Sequence, residues 1–291
     1  MGGEQSKAEP ERKLDLTAAE RRELDHLRKE LEDRLKLGLK PVVTPTSQER
    51  ETAKARHKYE DGKYHIAIAG VSGTGKSSFI NAVRGLRSNP DDPLVAPTGV
   101  AETTTDAHRY ADPNPDGTRP YVWYDIPGAG TLEVADWEYF NNQGLYIFDC
   151  IIVLFDTRFF ATDIAILKHC AHFGIPSFIV RSKSQIHIQN IIEETLEYAA
   201  EEDDIDGEGM RREARTRYIL DTNVSVAYNL GRAGLRLQPV FCVDRTKLLR
   251  LVRGQQAPGA IDEVKLLRTM HATVQKKMNP SGDQPAPPYS Q

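Results

Sequence analysis

Short apolar runs alternate with helical stripes along most of this chain. The runs fall at 64–69, 121–125, 150–155, 177–181 and 239–243, and helical spacing of apolar positions marks 76–86, 163–173, 186–200 and 211–230. Strands separated by helices of this length predict right-handed crossovers and a largely parallel sheet covered on both faces. The expected core is a doubly wound α/β domain over 63–245.

Outside that domain the pattern changes. Residues 1–15 are polar and read as a flexible start, whereas Thr17 and Glu20 have capping-box spacing and Leu24, Leu27, Leu31 and Leu35 form one stripe, closed by Gly38 and Pro41. The stripe is shorter than the three or four heptads that define a coiled coil, so it reads as packing within the chain. The rest of 16–62 is a charged connector with Pro41 and Pro45 and room for one further helical turn. After the last strand, 246–278 predicts helices, the second marked by Val264, Leu267, Met270, Val274 and Met278, and the proline-rich 279–291 predicts a disordered tail. The two terminal stripes are candidates to pack on each other, and the acidic stretch 201–209 reads as a solvated loop.

Composition narrows the class. With 291 residues, 39% of them apolar, the chain has enough material for a real core. A formal net charge of -4 without a long basic block argues against nucleic acid as a partner. Cys150, Cys170 and Cys242 are odd in number and widely spaced, which argues against a disulfide framework or a tetrahedral metal site and for a reducing compartment. No apolar run approaches the roughly 20 residues that span a bilayer, and no signal-peptide core follows Met1. The expected location is therefore the cytoplasm. His169, Cys170 and His172 are close in sequence, but on a helix Cys170 points away from the two histidines, so an ordinary helix is the simpler reading.

The chemistry concentrates at 70–77, GVSGTGKS, which fits G-x-x-x-x-G-K-[ST] between an apolar strand and a helix-compatible segment. Glycines let such a loop curl with its N–H groups inward, and the helix N-terminus adds partial positive charge, so the segment suits nucleotide phosphates. Gly70, Val71, Ser72, Gly73, Thr74, Gly75 and Ser78 would cradle the phosphates, and Lys76 would reach the β and γ groups. The Ser77 hydroxyl would hold Mg2+. Asp125 and Gly128 form a D-x-x-G at the end of a strand, where the carboxylate would hold the same metal and the glycine N–H would approach the γ-phosphate. Between them lies a threonine-rich segment, 96–110, from which Thr104 is the candidate metal ligand and Thr103 and Thr105 are its neighbours in that role. The fold these motifs imply is a P-loop NTPase.

Together the segments GVSGTGKSSFINAVRGL, TGVAETT, DIPGAGT, FDTRFFATDIAI and YNLGRAGLRLQPVFCV resemble the immunity-related GTPases, also called interferon-inducible p47-type GTPases. The resemblance covers about 64–243 and implies a Ras-like, dynamin-like G domain that binds GTP, self-associates through that domain and hydrolyses GTP to GDP and phosphate. It also implies Thr104 as the metal-binding threonine and Glu102 as a catalytic contributor when two G domains pair, beside Lys76. That family builds a helical domain from both chain ends; the stretch after the last strand here has room for a minimal helical pair.

Two positions depart from the pattern. Where [NT]-K-x-D reads guanine, this chain has Ser182, Lys183 and Gln185. Lys183 can lay its stem along the purine, but Gln185 offers a neutral amide in place of a bidentate carboxylate, a loss of about 1 to 2 kcal/mol or about five- to thirtyfold in discrimination. ATP is the alternative substrate that this opens. Ala129 follows Gly128 where Ras-type enzymes carry a water-orienting glutamine, which opens the further alternative of a non-hydrolysing nucleotide-binding module. Arg158, just past a strand end, is expected to form a salt bridge more than to touch a transition state. Finally, MGGEQS fits the N-myristoylation pattern at Gly2, and one such chain would give weak peripheral association with internal membranes, about 10⁴ M⁻¹.

Overall fold

This computed structural model describes residues 44–98, 106–113, 119–128, 136–198 and 207–278, together with Thr17, Arg22, His26 and Lys29. The chain divides into two units, Met1–Val43 and Thr44–Gln291. In the first, Arg22, His26 and Lys29 are helical; the leucine stripe and Gly2 lie outside the described residues.

Six strands form one sheet: β1 (Tyr64–Ala69), β2 (His108–Ala111), β3 (Tyr121–Asp125), β4 (Cys150–Phe155), β5 (Ser177–Arg181) and β6 (Val240–Cys242). Their order is β2-β3-β1-β4-β5-β6, and all neighbours are parallel except the antiparallel edge pair β2 and β3. The helices are α1 (Ser47–Arg56), α2 (Lys76–Val83), α3 (Asp136–Asn142), α4 (Ala161–Phe173), α5 (Ser184–Tyr198), α6 (Gly207–Arg232), α7 (Arg245–Val252) and α8 (Glu263–Met278), with a 3₁₀ turn at Leu145–Ile147. The expected doubly wound, mostly parallel α/β fold is present.

Period-2 alternation along each central strand sends side chains to two cores. Ala67, Val122, Ile151, Val153 and Ile179 face α1, α3, α4 and α6, which contribute Ala53, Phe140, Ile166 and Val226. Ile66, Ile68, Trp123, Ile152, Leu154 and Val180 face α2, α7 and α8, which contribute Phe79, Ile80, Leu248, Leu266 and Met270. The apolar positions of α8 therefore cover the sheet.

The connector holds a ten-residue helix where one turn was expected. Its start is a capping box: the Thr46 hydroxyl accepts from the Glu49 N–H at 3.2 Å, and the Glu49 carboxylate accepts from the Thr46 N–H at 2.7 Å. The helix then anchors by Arg56 and His57, which reach the carbonyls of Asn142 and Gln143, both at 2.9 Å. Helix α6 begins at Gly207, inside the stretch read as an acidic loop, and residues 199–206 lie outside the described residues, as does the tail 279–291. His169 and Cys170 are buried in α4, His169 stacked on Phe140 with ring centroids 4.7 Å apart, and no His, Cys, Asp or Glu cluster suited to a metal occurs among the described residues.

Candidate functional site

The phosphate loop leaves β1 at its carboxyl end and enters α2. Gly70, Gly73 and Gly75 take φ of 144°, 81° and 89°, values that favour glycine and curl the loop. Gly70 also has no room for a side chain, since a Cβ there would collide with the carbonyl oxygen of Leu154 on β4. No side chain caps the N-terminus of α2, so its first N–H groups face the loop as donors for an anion.

Lys76, the first residue of α2, is buried, and its ammonium donates to the carbonyls of Gly70 at 3.1 Å and Val71 at 3.3 Å. Thr74 braces the same loop by donating to the Val71 carbonyl at 3.0 Å. The next residue, Ser77, donates its hydroxyl to the Asp125 carboxylate at the end of β3. Thus two of the three proposed metal-holding groups, widely separated in sequence, meet directly. Asp125 is buried, and the pair offers only hard oxygen donors, the chemistry that fits Mg2+. Gly128 closes the other wall: a Cβ there would stand 2.8 Å from both Cβ and N of Ser72. Thr104 and Glu102 lie outside the described residues, and so does Ala129.

Beyond β5 the segment expected on the base side reaches the same loop. The Ser182 hydroxyl donates to the Thr74 carbonyl at 2.7 Å, and Lys183 donates to the Gly73 carbonyl at 3.0 Å. Lys183 is one of two non-glycine residues with positive φ among the described residues, at 57°. Gln185 sits apart, exposed on the first turn of α5. Arg158 is likewise exposed, with no ion pair among the described residues.

Sequence reading missed a second layer. Asp156, next after β4, accepts from Lys183 at 2.7 Å and from the His187 ring at 2.5 Å. Arg181 donates to the Asp156 carbonyl at 2.8 Å and to the Thr222 hydroxyl at 2.5 Å, with its guanidinium 4.6 Å from the Tyr218 ring centre. Burial alone would raise the Asp156 pKa, but hydrogen bonds from His187 and Lys183 outweigh it and hold the carboxyl below its ordinary range. No short motif joins these residues; the only available signal was a carboxylate standing at a strand's carboxyl end.

Fold and loop together define a P-loop domain of the Ras-like α/β type. The model of the Interferon-inducible GTPase (IIGP) family matches residues 50–198, and the chain belongs to that family. It is 33% identical over 137 residues to mouse "T-cell-specific guanine nucleotide triphosphate-binding protein 2", covering 47% of this chain and 32% of the relative. Mouse "Interferon-inducible GTPase 1" is 34% identical over 126 residues, 43% of this chain and 29% of its own, and cattle "Interferon-inducible GTPase 5" 34% over 122, 42% and 25%. The chain thus spans about a third or less of the length of these relatives. Among solved structures, Era of Aquifex aeolicus bound to GDP.AlF4- aligns over 78% of this chain and 60% of its own at 16% identity and a TM-score of 0.42, too distant to inform the site.

Proposed function

We propose that this chain binds GTP with magnesium and hydrolyses it to GDP and phosphate, as a switch that self-associates through its G domain. The observation that carries the reading is the Ser77 to Asp125 contact beside the curled, glycine-rich loop. Membership of the IIGP family supports GTP as the substrate.

In this reading the loop N–H groups from Val71 to Ser78 bind the phosphates, and Lys76 leaves its two carbonyl partners to place its charge on the β and γ groups. Ser77 and Asp125 hold the magnesium, with Thr104 as a third ligand. Magnesium held there would offset the negative charge of the phosphates. The Gly128 N–H meets the γ-phosphate, so the segment after it responds to that phosphate's presence. Ala129 supplies no side chain to orient water, and a second copy completes the site, with Glu102 as one contributor. Ser182 and Lys183 form the base side, and the exposed Gln185 weakens guanine preference, which keeps ATP as the competing substrate.

Titration with GTP, GDP and ATP in magnesium tests this directly. Lys76→Ala should abolish nucleotide binding at micromolar concentration; unchanged affinity by calorimetry would refute the assignment. Multiple-turnover phosphate release separates an enzyme from a binding module. For location, we propose the cytoplasm with weak peripheral attachment to internal membranes through a myristoylated Gly2; an unshifted intact mass from eukaryotic cells would sink that part. Among the described residues no helix is long and apolar enough to cross a membrane.

A further inference from the structure

The carboxylate at the end of β4 has no part in the function above, yet it organises the base side of the site. Asp156 spends both oxygens within the protein, one on Lys183 at 2.7 Å and the other on His187 at 2.5 Å. Since its carboxyl is held below the ordinary range, it is ionised near neutral pH and can only accept, so the His187 nitrogen facing it carries a proton. His187 in turn lies parallel to Tyr218, with centroids 5.8 Å apart and planes within 11°. Arg181, stacked over that same Tyr218, fixes the Asp156 backbone. Asp156 is therefore held through its carboxylate and through its backbone carbonyl, by partners of which Arg181 and His187 themselves rest on α6.

Lys183 is the beneficiary. Its ammonium is pinned between Asp156 and the Gly73 carbonyl, at 2.7 and 3.0 Å, on a backbone already set at positive φ. A lysine loose in solvent loses rotamer freedom when a ligand orders it. Here that ordering precedes the ligand, which is the usual route from a positioned side chain to affinity.

We propose that Asp156 is the positioning residue of the base site: it holds Lys183 so that the aliphatic stem forms a shelf for a purine face. This rests on the nucleotide-binding reading. A shelf contacts the ring face, which guanine and adenine share, and with Gln185 neutral it gives affinity without selecting the purine. Because both Asp156 oxygens are engaged, the carboxylate supports the shelf without reading the base edge.

The test uses the full chain with Asp156→Asn and Asp156→Glu, titrated in magnesium with GTP, with ATP and with inorganic tripolyphosphate, which has phosphates and no base. Asp156→Asn should weaken GTP and ATP alike by about tenfold, leave tripolyphosphate within about twofold, and be partly rescued in Asp156→Glu. Lys183→Met, which keeps an apolar stem and removes the tethered ammonium, should reproduce the loss and also serves if Asp156→Asn fails to fold. The proposal is overturned if both variants bind nucleotides like the parent, if GTP weakens while ATP does not, since Asp156 would then read guanine directly, or if tripolyphosphate affinity falls in step, which would mean a loosened phosphate loop. A parent chain that binds tripolyphosphate and neither nucleotide would instead refute the nucleotide-binding reading on which this one depends.

Discussion

A methyl group on Gly70 would have to occupy the space of the Leu154 carbonyl oxygen, on a backbone at φ 144°. Clash and backbone strain act together, so Gly70→Ala should destabilise the fold by about 3 kcal/mol or more, read as a fall in the urea midpoint. Gly128 differs in kind. Its Cβ would press on Ser72 within the loop, where the neighbour belongs to the binding surface. Gly128→Ala is therefore expected to cost more in nucleotide affinity, about tenfold, than in stability, and calorimetry beside a melting curve separates the two. At this scale the sequence was most legible where chemistry is local. Gly70, Lys76 and Ser77 stand within one short motif, whereas Asp156, Arg181, His187 and Tyr218 meet only because β4, β5, α5 and α6 converge, a pairing that no spacing encodes.

Elements were legible in proportion to their periodicity. Strands β1, β3, β4 and β5 occupy the apolar runs because burial on both faces demands them, while β2, with exposed or half-buried residues in an edge strand, carries no such signal. Helix α1 escaped for a related reason: one fully buried residue, Ala53, makes a weak stripe, and the helix stands on its capping box and on polar anchors. One of those anchors, His57, together with His65 on β1, creates a pH dependence. His57 and His65 are buried, and burial depresses the pKa of each, opposed in part by the carbonyls of Gln143 and Glu60. A histidine with lowered folded pKa takes up protons in the unfolded chain first, so stability present above about pH 6.5 is lost as pH falls through that value. Chemical denaturation at pH 7.5 and 5.5 should show the drop, and His57→Gln should shrink it. Helix α8 supplies the complementary test of packing: Met270→Ala, in the core shared with α2 and α7, should cost about 2 to 5 kcal/mol.

For the whole molecule, the issue is how much one copy can do. The chain corresponds to about a third or less of its mouse and cattle relatives, so the proposed pairing has to be measured on this chain itself. If a second copy completes the site, phosphate release per molecule should rise with protein concentration; a flat dependence over a hundredfold range would argue for a self-sufficient or inactive site. The α/β architecture was readable because length, alternation and one loop agree. The partners of Asp125 and Lys183 were readable only as roles, and the folded chain supplied the contacts. The Ser182 bond to Thr74, joining residues 108 positions apart, has a kinetic meaning as well. Contact order argues that such a bond forms late in folding, once β4 has paired with β1 and β5 with β4, and that the phosphate loop takes its final shape only then. A nucleotide that recognises that shape would be blind to early folding species: saturating GDP should slow unfolding in proportion to its affinity and leave the refolding rate unchanged, so that occupancy acts as a brake on exit from the native state.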